Sequence, residues 1–188
     1  MSTLLIDNET TLLSELEKSL SGEVTIKSWS ELEGVSLDDY DVVVLSGGSS
    51  FPIVGHEKDL SVEMELIRNA QIPVIGICFG AELIATAFGG TLDLMSEHHK
   101  GLVQVMVTKE HEVFRKKATF TPYENHGWRI TALPEELEVL ARSGHSMEIF
   151  HHRQRPLWGV QFHPEYVVAD LQVRQIVSDI ILYELSKI

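Results

Sequence analysis

Pro73–Gly90 reads PVIGICFGAELIATAFGG, and its two halves follow different patterns. PVIGI is a run of apolar β-formers. The stretch after Cys78 places Leu83, Ile84, Ala87 and Phe88 on one side of a helix that stops at Gly89-Gly90. Between them stands Cys78, the one cysteine of the 188 residues, bracketed by Gly76 and Gly80. A strand that turns abruptly into a helix leaves its turn residue at the strand's C-terminal end, above the sheet. Flanking glycines let the backbone take a strained geometry and make room for a substrate. The amides and positive dipole end of the following helix are expected to lower the thiol pKa and favour the thiolate. An inert buried cysteine fits the same address.

Outward from this stretch, strands and helices alternate. Thr3–Ile6 is a short apolar run ending at Asp7, followed by Leu12, Leu13, Leu16 and Leu20 at helical spacing and by Gly22 as a stop signal. Val24–Ile26 and Val42–Leu45 read as strands, the latter apolar on both faces as in a covered parallel sheet. Val62, Leu66 and Ile67 suggest a helix before the strand of IPVIGI. This order implies right-handed βαβ units in an open parallel sheet. After Gly90 the rhythm changes: LVQVMVT, LEVLARS, MEIFHHR and LWGVQF read as shorter strands with little helix between them. From Asp170, the residues Leu171, Ile176, Val177, Ile180, Ile181 and Leu185 mark a closing amphipathic helix. Residues 1–188 therefore read as one α/β domain: an open, mostly parallel sheet flanked by helices, with a smaller antiparallel extension.

Composition excludes several classes. An apolar fraction of 44% and a charged fraction of 23% are ordinary for a globular protein. A formal charge of −13 argues against a nucleic-acid surface. No apolar run approaches the ~18–20 residues needed to cross a bilayer, so no membrane association is expected. One cysteine forms no internal disulfide, and MSTLLIDNET lacks the basic start of a secretory signal; a cytoplasmic location is expected.

Two further segments bear on the cysteine. VQFHPE, Val160–Glu165, supplies His163, an imidazole that titrates in the right range to take a thiol proton and return it to a leaving group. Glu165, two residues on across a proline, is close enough to orient that imidazole. A solvated His-Pro-Glu loop is the bland alternative. LSGGSS, Leu45–Ser50, ends a strand with Gly47-Gly48, where main-chain N–H groups can converge on an oxyanion, although Gly-Gly-Ser is also an ordinary turn.

Together GICFG and QFHPE, in this order and about 85 residues apart, resemble the class I, or triad, glutamine amidotransferases. The likeness runs from the first strand to the final helix and implies the flavodoxin-like fold of that family. It implies Cys78 as nucleophile, His163 as general base and acid, and Glu165 as the orienting carboxylate. Gly48 and Phe79 correspond to the residues whose amides form the oxyanion hole. Gly47, Gly80 and Glu82 correspond to substrate-pocket positions. In YENHGW, Asn125 and His126 fall where the family often has a Ser-His segment near the substrate; a surface turn is an equal alternative. The length, with ELIATAFGG and VLARS…MEIF, resembles free-standing amidotransferase subunits such as those of two-subunit GMP synthases. Such a chain hydrolyses the glutamine side-chain amide and passes ammonia to an ATP-dependent amidating synthase partner, here expected to be a separate chain.

Two positions depart from the family pattern. Glu82 stands where a glutamine usually helps to hold the substrate, and Ser49 where a proline often follows the loop glycines. Glutamate lacks amide donors and brings a negative charge beside the thiolate. It suits a γ-glutamyl hydrolase or peptidase that pairs it with a substrate ammonium, or a catalytically impaired regulatory relative. EHHKG (97–101), HEVF (111–114) and HHRQR (151–155) lack recognised metal-ligand spacing, so neither metal nor cofactor is expected. Trp128 and Trp158 read as packing residues.

Overall fold

Alternating side chains along β1 (Ser2–Asp7) divide the interior in two, because successive residues of a strand face opposite sides of the sheet. In the computed structural model, which describes residues 1–48, 50–166, 168 and 171–187, Leu5 joins Val42, Val44, Ile75 and Ile77 on one face. Leu4 and Ile6 join Val43, Leu45 and Val74 on the other. Both faces are covered. Leu16 of α1 (Leu13–Ser19) and Val173, Ile176, Val177, Ile180 and Ile181 of α4 (Leu171–Leu185) pack on the first. Met64 and Ile67 of α2 (Ser61–Asn69) and Leu83 and Ile84 of α3 (Phe79–Ala87) pack on the second. Asp170, expected to begin the last helix, lies outside the described residues.

The large sheet has the strand order β2-β1-β3-β4-β11-β10-β9-β6-β7. Its parallel part comprises β2 (Glu23–Ser28), β1, β3 (Val42–Leu45), β4 (Val74–Ile77) and β11 (Leu157–Val160). The sheet continues antiparallel through β10 (Met147–His152), β9 (Leu137–Arg142), β6 (Val105–Val107) and β7 (Thr119–Phe120). The mostly parallel sheet with an antiparallel extension is the architecture expected. LWGVQF has a more central place than a peripheral strand: β11 lies parallel to β4, register Gly159 to Gly76, and brings the QFHPE segment beside the elbow.

The helix expected around Val62, Leu66 and Ile67 is α2, which buries Glu63, Met64 and Ile67 and leaves Val62 42% exposed. One local expectation needs correction. The chain between Gly90 and Pro134 contains a separate antiparallel pair, β5 (Thr91–Leu102) with β8 (Tyr123–Ala132). YENHGW is therefore strand and not a surface turn. LVQVMVT is split, its first residue ending β5 and its VMV forming β6. β5 has mostly exposed or half-buried side chains and lacks a clean period of two, so apolar alternation does not reveal it. Among the described residues no helix is long and apolar enough to cross a membrane.

Candidate active site

β4 delivers Cys78 to a backbone conformation of φ 48°, ψ −103°, a region costly for a residue with a Cβ and typical of sites held by their surroundings. Two hydrogen bonds hold it there: Cys78 N donates to Val160 O at 2.8 Å, and Cys78 O accepts from Glu82 N at 3.0 Å in the first turn of α3. The flanking glycines are needed for close approach. A Cβ on Gly76 would stand 2.3 Å from Gly80 O, and one on Gly80 would stand 2.6 Å from Leu45 O. Gly76 thus lets α3 fold back over β4, and Gly80 lets it settle on β3.

The end of β11 brings His163 to the sulfur, with His163 N anchored on Tyr123 O at 3.0 Å. Its Nδ1 lies 2.8 Å from Glu165 Oε1, and Cys78 is the imidazole's other hydrogen-bonded side chain. All three are buried; Cys78 is 4% exposed. Burial pushes the Cys78 thiol up, and the neighbouring His163 opposes that rise without cancelling it. The expected lowering of the thiol pKa is therefore not met: desolvation outweighs the imidazole. Burial also disfavours the His163 imidazolium, but the sulfur and then Glu165 outweigh it and hold His163 well above the ordinary imidazole range.

The glycine loop after β3 closes over this pair. A Cβ on Gly47 would come within 2.9 Å of His163 Cε1, and one on Gly48 within 2.3 Å of Asn8 O and 3.3 Å of Phe79 Cγ. The loop is tied from behind: Asn8 N donates to Ser46 Oγ at 2.9 Å, Ser46 Oγ donates to Gly47 O at 2.8 Å, and Asn8 Nδ2 donates to Glu63 Oε1 at 3.1 Å. Burial raises Glu63 to about 8, against the lowering effect of its Asn8 hydrogen bond. Ser49 lies outside the described residues.

Glu82 points into the same interior. Gln161 Nε2 donates to Glu82 Oε1 at 3.0 Å and lies 4.0 Å from Cys78 Sγ. Burial raises Glu82 to about 7, with Gln161, His126 and His163 acting in the opposite direction. His126 is buried in β8, its Nδ1 2.6 Å from Trp128 O and its Nε2 3.3 Å from Glu124 Oε2. Asn125 is half-buried and turned to His98, Oδ1 to Nε2 2.8 Å. Sequence reasoning does not single out Gln161, Asn8, Ser46 or Glu63. Gln161 sits inside QFHPE and Ser46 precedes the paired glycines, but only the fold shows their partners. Trp158 is fully buried and its indole N–H donates to Glu184 Oε1 at 2.7 Å. Among the described residues no group of three or more His, Cys, Asp or Glu side chains is arranged to hold a metal ion.

The arrangement joins a thiol, a base, an orienting carboxylate and a glycine loop at the C-terminal edge of parallel strands, as acyl transfer through a thioester requires. Comparisons with known proteins agree in kind. The family profile described as glutamine amidotransferase class-I matches residues 4–178. The glutamine-hydrolyzing GMP synthase subunit of Methanocaldococcus jannaschii is 34% identical over 125 residues, covering 65% of this chain and 63% of that protein. Its counterpart in Methanobrevibacter smithii is 28% identical over 174 residues, covering 88% of this chain and 87% of that protein. The crystal structure of a GMP synthase subunit protein from Thermoplasma acidophilum superimposes with a TM-score of 0.88 at 26% identity, covering 100% of this chain and 95% of that one. The chain is an enzyme of the class-I glutamine amidotransferase family.

Proposed function

We propose that this chain is the glutamine-hydrolysing subunit of a two-subunit GMP synthase, acting through a Cys78-His163-Glu165 triad and passing ammonia to a separate synthase subunit. The observation that carries the reading is His163, hydrogen-bonded to the Cys78 thiol and 2.8 Å from Glu165. The names of the relatives supply the choice of synthase. Residues 1–188 act in it as one amidotransferase domain.

Because Nδ1 is engaged by Glu165, the other ring nitrogen serves the sulfur and takes its proton as Cys78 attacks the glutamine carboxamide carbon. The backbone amides of Gly48 and Phe79 receive the developing oxyanion. Gly47, Gly80 and Glu82 shape the pocket, and His126 backs its β8 side, whereas Asn125, on the opposite face of β8, turns to His98. His163 returns its proton to the departing nitrogen, which leaves as ammonia and a γ-glutamyl thioester. A water molecule, deprotonated by His163, then opens the thioester to glutamate and restores the thiol-imidazole pair.

The deciding test mixes the chain with its candidate synthase partner and measures glutamate release and GMP formation from glutamine. The proposal requires glutamine-dependent GMP formation that is lost in Cys78→Ala but retained with added ammonia. GMP formation from ammonia alone, with no gain from glutamine, would refute it. Glu82 motivates γ-glutamyl hydrolysis as the second reading, and a panel of γ-glutamyl amides separates the two: release of larger amines faster than ammonia supports the hydrolase.

A further inference from the structure

We propose that Glu63 of α2 is a positioning residue for the oxyanion loop: as a neutral carboxylic acid it forms a two-bond pair with the side-chain amide of Asn8, and Asn8 in turn holds Gly47 and Gly48. The inference rests on the glutaminase reading above, which assigns the Gly48 amide to the oxyanion, and it adds a residue that acts from behind the loop.

Paired glycines give the loop room beside His163 and Cys78 but no side chain with which to hold itself. Its position therefore comes from its neighbours. Ser46 N donates to Ile6 O at 3.0 Å and Asn8 N donates to Ser46 Oγ at 2.9 Å, which ties the start of the loop to the end of β1. The same hydroxyl donates to Gly47 O at 2.8 Å. A Cβ on Gly48 would stand 2.3 Å from Asn8 O and 3.3 Å from Asn8 Cβ, so Gly48 rests directly on Asn8. A shift of Asn8 thus moves both glycines.

Glu63 fixes the Asn8 side chain. Asn8 Nδ2 donates to Glu63 Oε1 at 3.1 Å and faces Ser46 O at 3.5 Å. Ser46 O only accepts, so the amide turns its nitrogen to this side. The remaining atom of each group, Asn8 Oδ1 and Glu63 Oε2, is buried with no hydrogen-bond partner among the described residues. Two orphaned acceptors on two groups that are already joined call for one proton. Placed on Glu63 Oε2, it makes that atom a donor to Asn8 Oδ1 and closes the ring of two hydrogen bonds that a carboxylic acid and a primary amide form together. An ionised carboxylate here would be a charge only 1% exposed, held by a single neutral donor.

The surroundings favour the neutral acid. Burial raises Glu63 to about 8, and the Asn8 hydrogen bond opposes that rise without cancelling it. The charged groups on the elements around it have other partners. Asp7 at the end of β1 accepts from Thr10 N, and Glu9 accepts from Trp29 Nε1. On α2, Arg68 donates to Ala87 O and Glu65 is exposed; on α3, Glu82 is held by Gln161. His56, ahead of α2, packs on Phe51, and His163 meets the loop at Gly47, on its pocket side. Glu63 is therefore neutral at pH 7 and ionises as pH rises through about 8, which removes the proton that joins Oε2 to Oδ1.

The test measures glutamine hydrolysis by the full chain, with the synthase partner present, from pH 6 to pH 9 for wild type, Glu63→Leu and Glu63→Gln. Glu63→Leu removes the pair and should lower kcat about tenfold or more at unchanged KM. Glu63→Gln keeps the pair, its amide nitrogen donating to Asn8 Oδ1, and should restore most of that loss at pH 7. An amide does not ionise, so this variant should also hold its rate above pH 8, where wild type falls. The infrared spectrum of wild type minus Glu63→Gln should show the carbonyl stretch of a protonated carboxylic acid at pH 7, fading as pH rises through about 8. Iodoacetamide forms no oxyanion and should alkylate Cys78 at the wild-type rate in both variants. Coincident pH profiles of wild type and Glu63→Gln overturn the proposal, as does a difference spectrum without the acid band. So does a loss in Glu63→Gln equal to that in Glu63→Leu, or slowed alkylation, either of which marks a general structural role. Where Glu63→Leu does not fold, the profile and spectrum of Glu63→Gln decide alone. All of these results leave hydrolysis by wild type standing; wild type that hydrolyses no glutamine contradicts the glutaminase reading itself, and the role given to Glu63 falls with it.

Discussion

Gln161 at the end of β11 donates to Glu82 on α3 at 3.0 Å while the same nitrogen lies 4.0 Å from Cys78 Sγ. The amide that the family pattern places on α3 is thus available from the neighbouring strand, and Glu82 acts as its acceptor. Glu82 adds to the rise of the Cys78 thiol when charged, and burial keeps Glu82 itself near 7. In Glu82→Gln, Cys78 alkylation should shift to lower pH. The variant and wild type should match near pH 6 and diverge above pH 7, where the wild-type carboxylate ionises. The expected gain in kcat/KM for glutamine is about tenfold, the worth of one hydrogen bond or charge contact near the reacting groups. Identical alkylation profiles would contradict this.

His163→Ala should lose about a thousandfold or more in kcat, because both the base for the thiol and the acid for the leaving nitrogen are gone. Glu165→Gln should cost less. The Glu165 contact raises His163, so its loss lowers the imidazole pKa and moves the acid limb of kcat/KM, set by protonation of that base, to lower pH. An unmoved limb would show that Glu165 does not tune His163.

Gly48→Ala places a methyl group 2.3 Å from Asn8 O and displaces the loop whose amide is assigned to the oxyanion. A fall in kcat of about a hundredfold with little change in KM is expected, the signature of a lost oxyanion donor. Stopped-flow measurement of thioester formation localises the loss to the acylation step; loss confined to KM would reassign the loop to substrate binding.

The buried acids set an unusual pH dependence of stability. Burial raises Glu63 from 4.5 to about 8. The native state thus holds a proton that the unfolded chain has released, and the stabilisation is fully present below about pH 4.5 and lost as pH rises through 8. Glu82, Glu124 and Glu148 act with the same sign. Thermal unfolding from pH 5 to pH 9 should show Glu63→Gln losing less stability than wild type, with the slopes differing by up to roughly 1.4 kcal/mol per pH unit between the two pKa values. Parallel curves would contradict the assignment.

The parallel half of the fold is legible in the sequence because its strands are buried on both faces and read as unbroken apolar runs, as Val42–Leu45 and Val74–Ile77 do. The β5–β8 pair is not, since EHHKG and YENHGW carry polar residues that pair with each other away from the main sheet. The candidate nucleophile and base are readable from two short motifs. The supporting contacts are not, because Glu63 to Asn8 and Gln161 to Glu82 join residues 55 and 79 positions apart, and the identity of either partner alone carries no signal of the pairing.

If Cys78 attacks the glutamine carboxamide, a glutamine-derived diazoketone or chloroketone must react with it. Peptide mass mapping of treated wild type and Cys78→Ala should show one adduct, on the peptide containing Cys78, suppressed by excess glutamine and absent from the variant. A glutamine-protected adduct on another residue, or glutamine hydrolysis undiminished in Cys78→Ala, would contradict it.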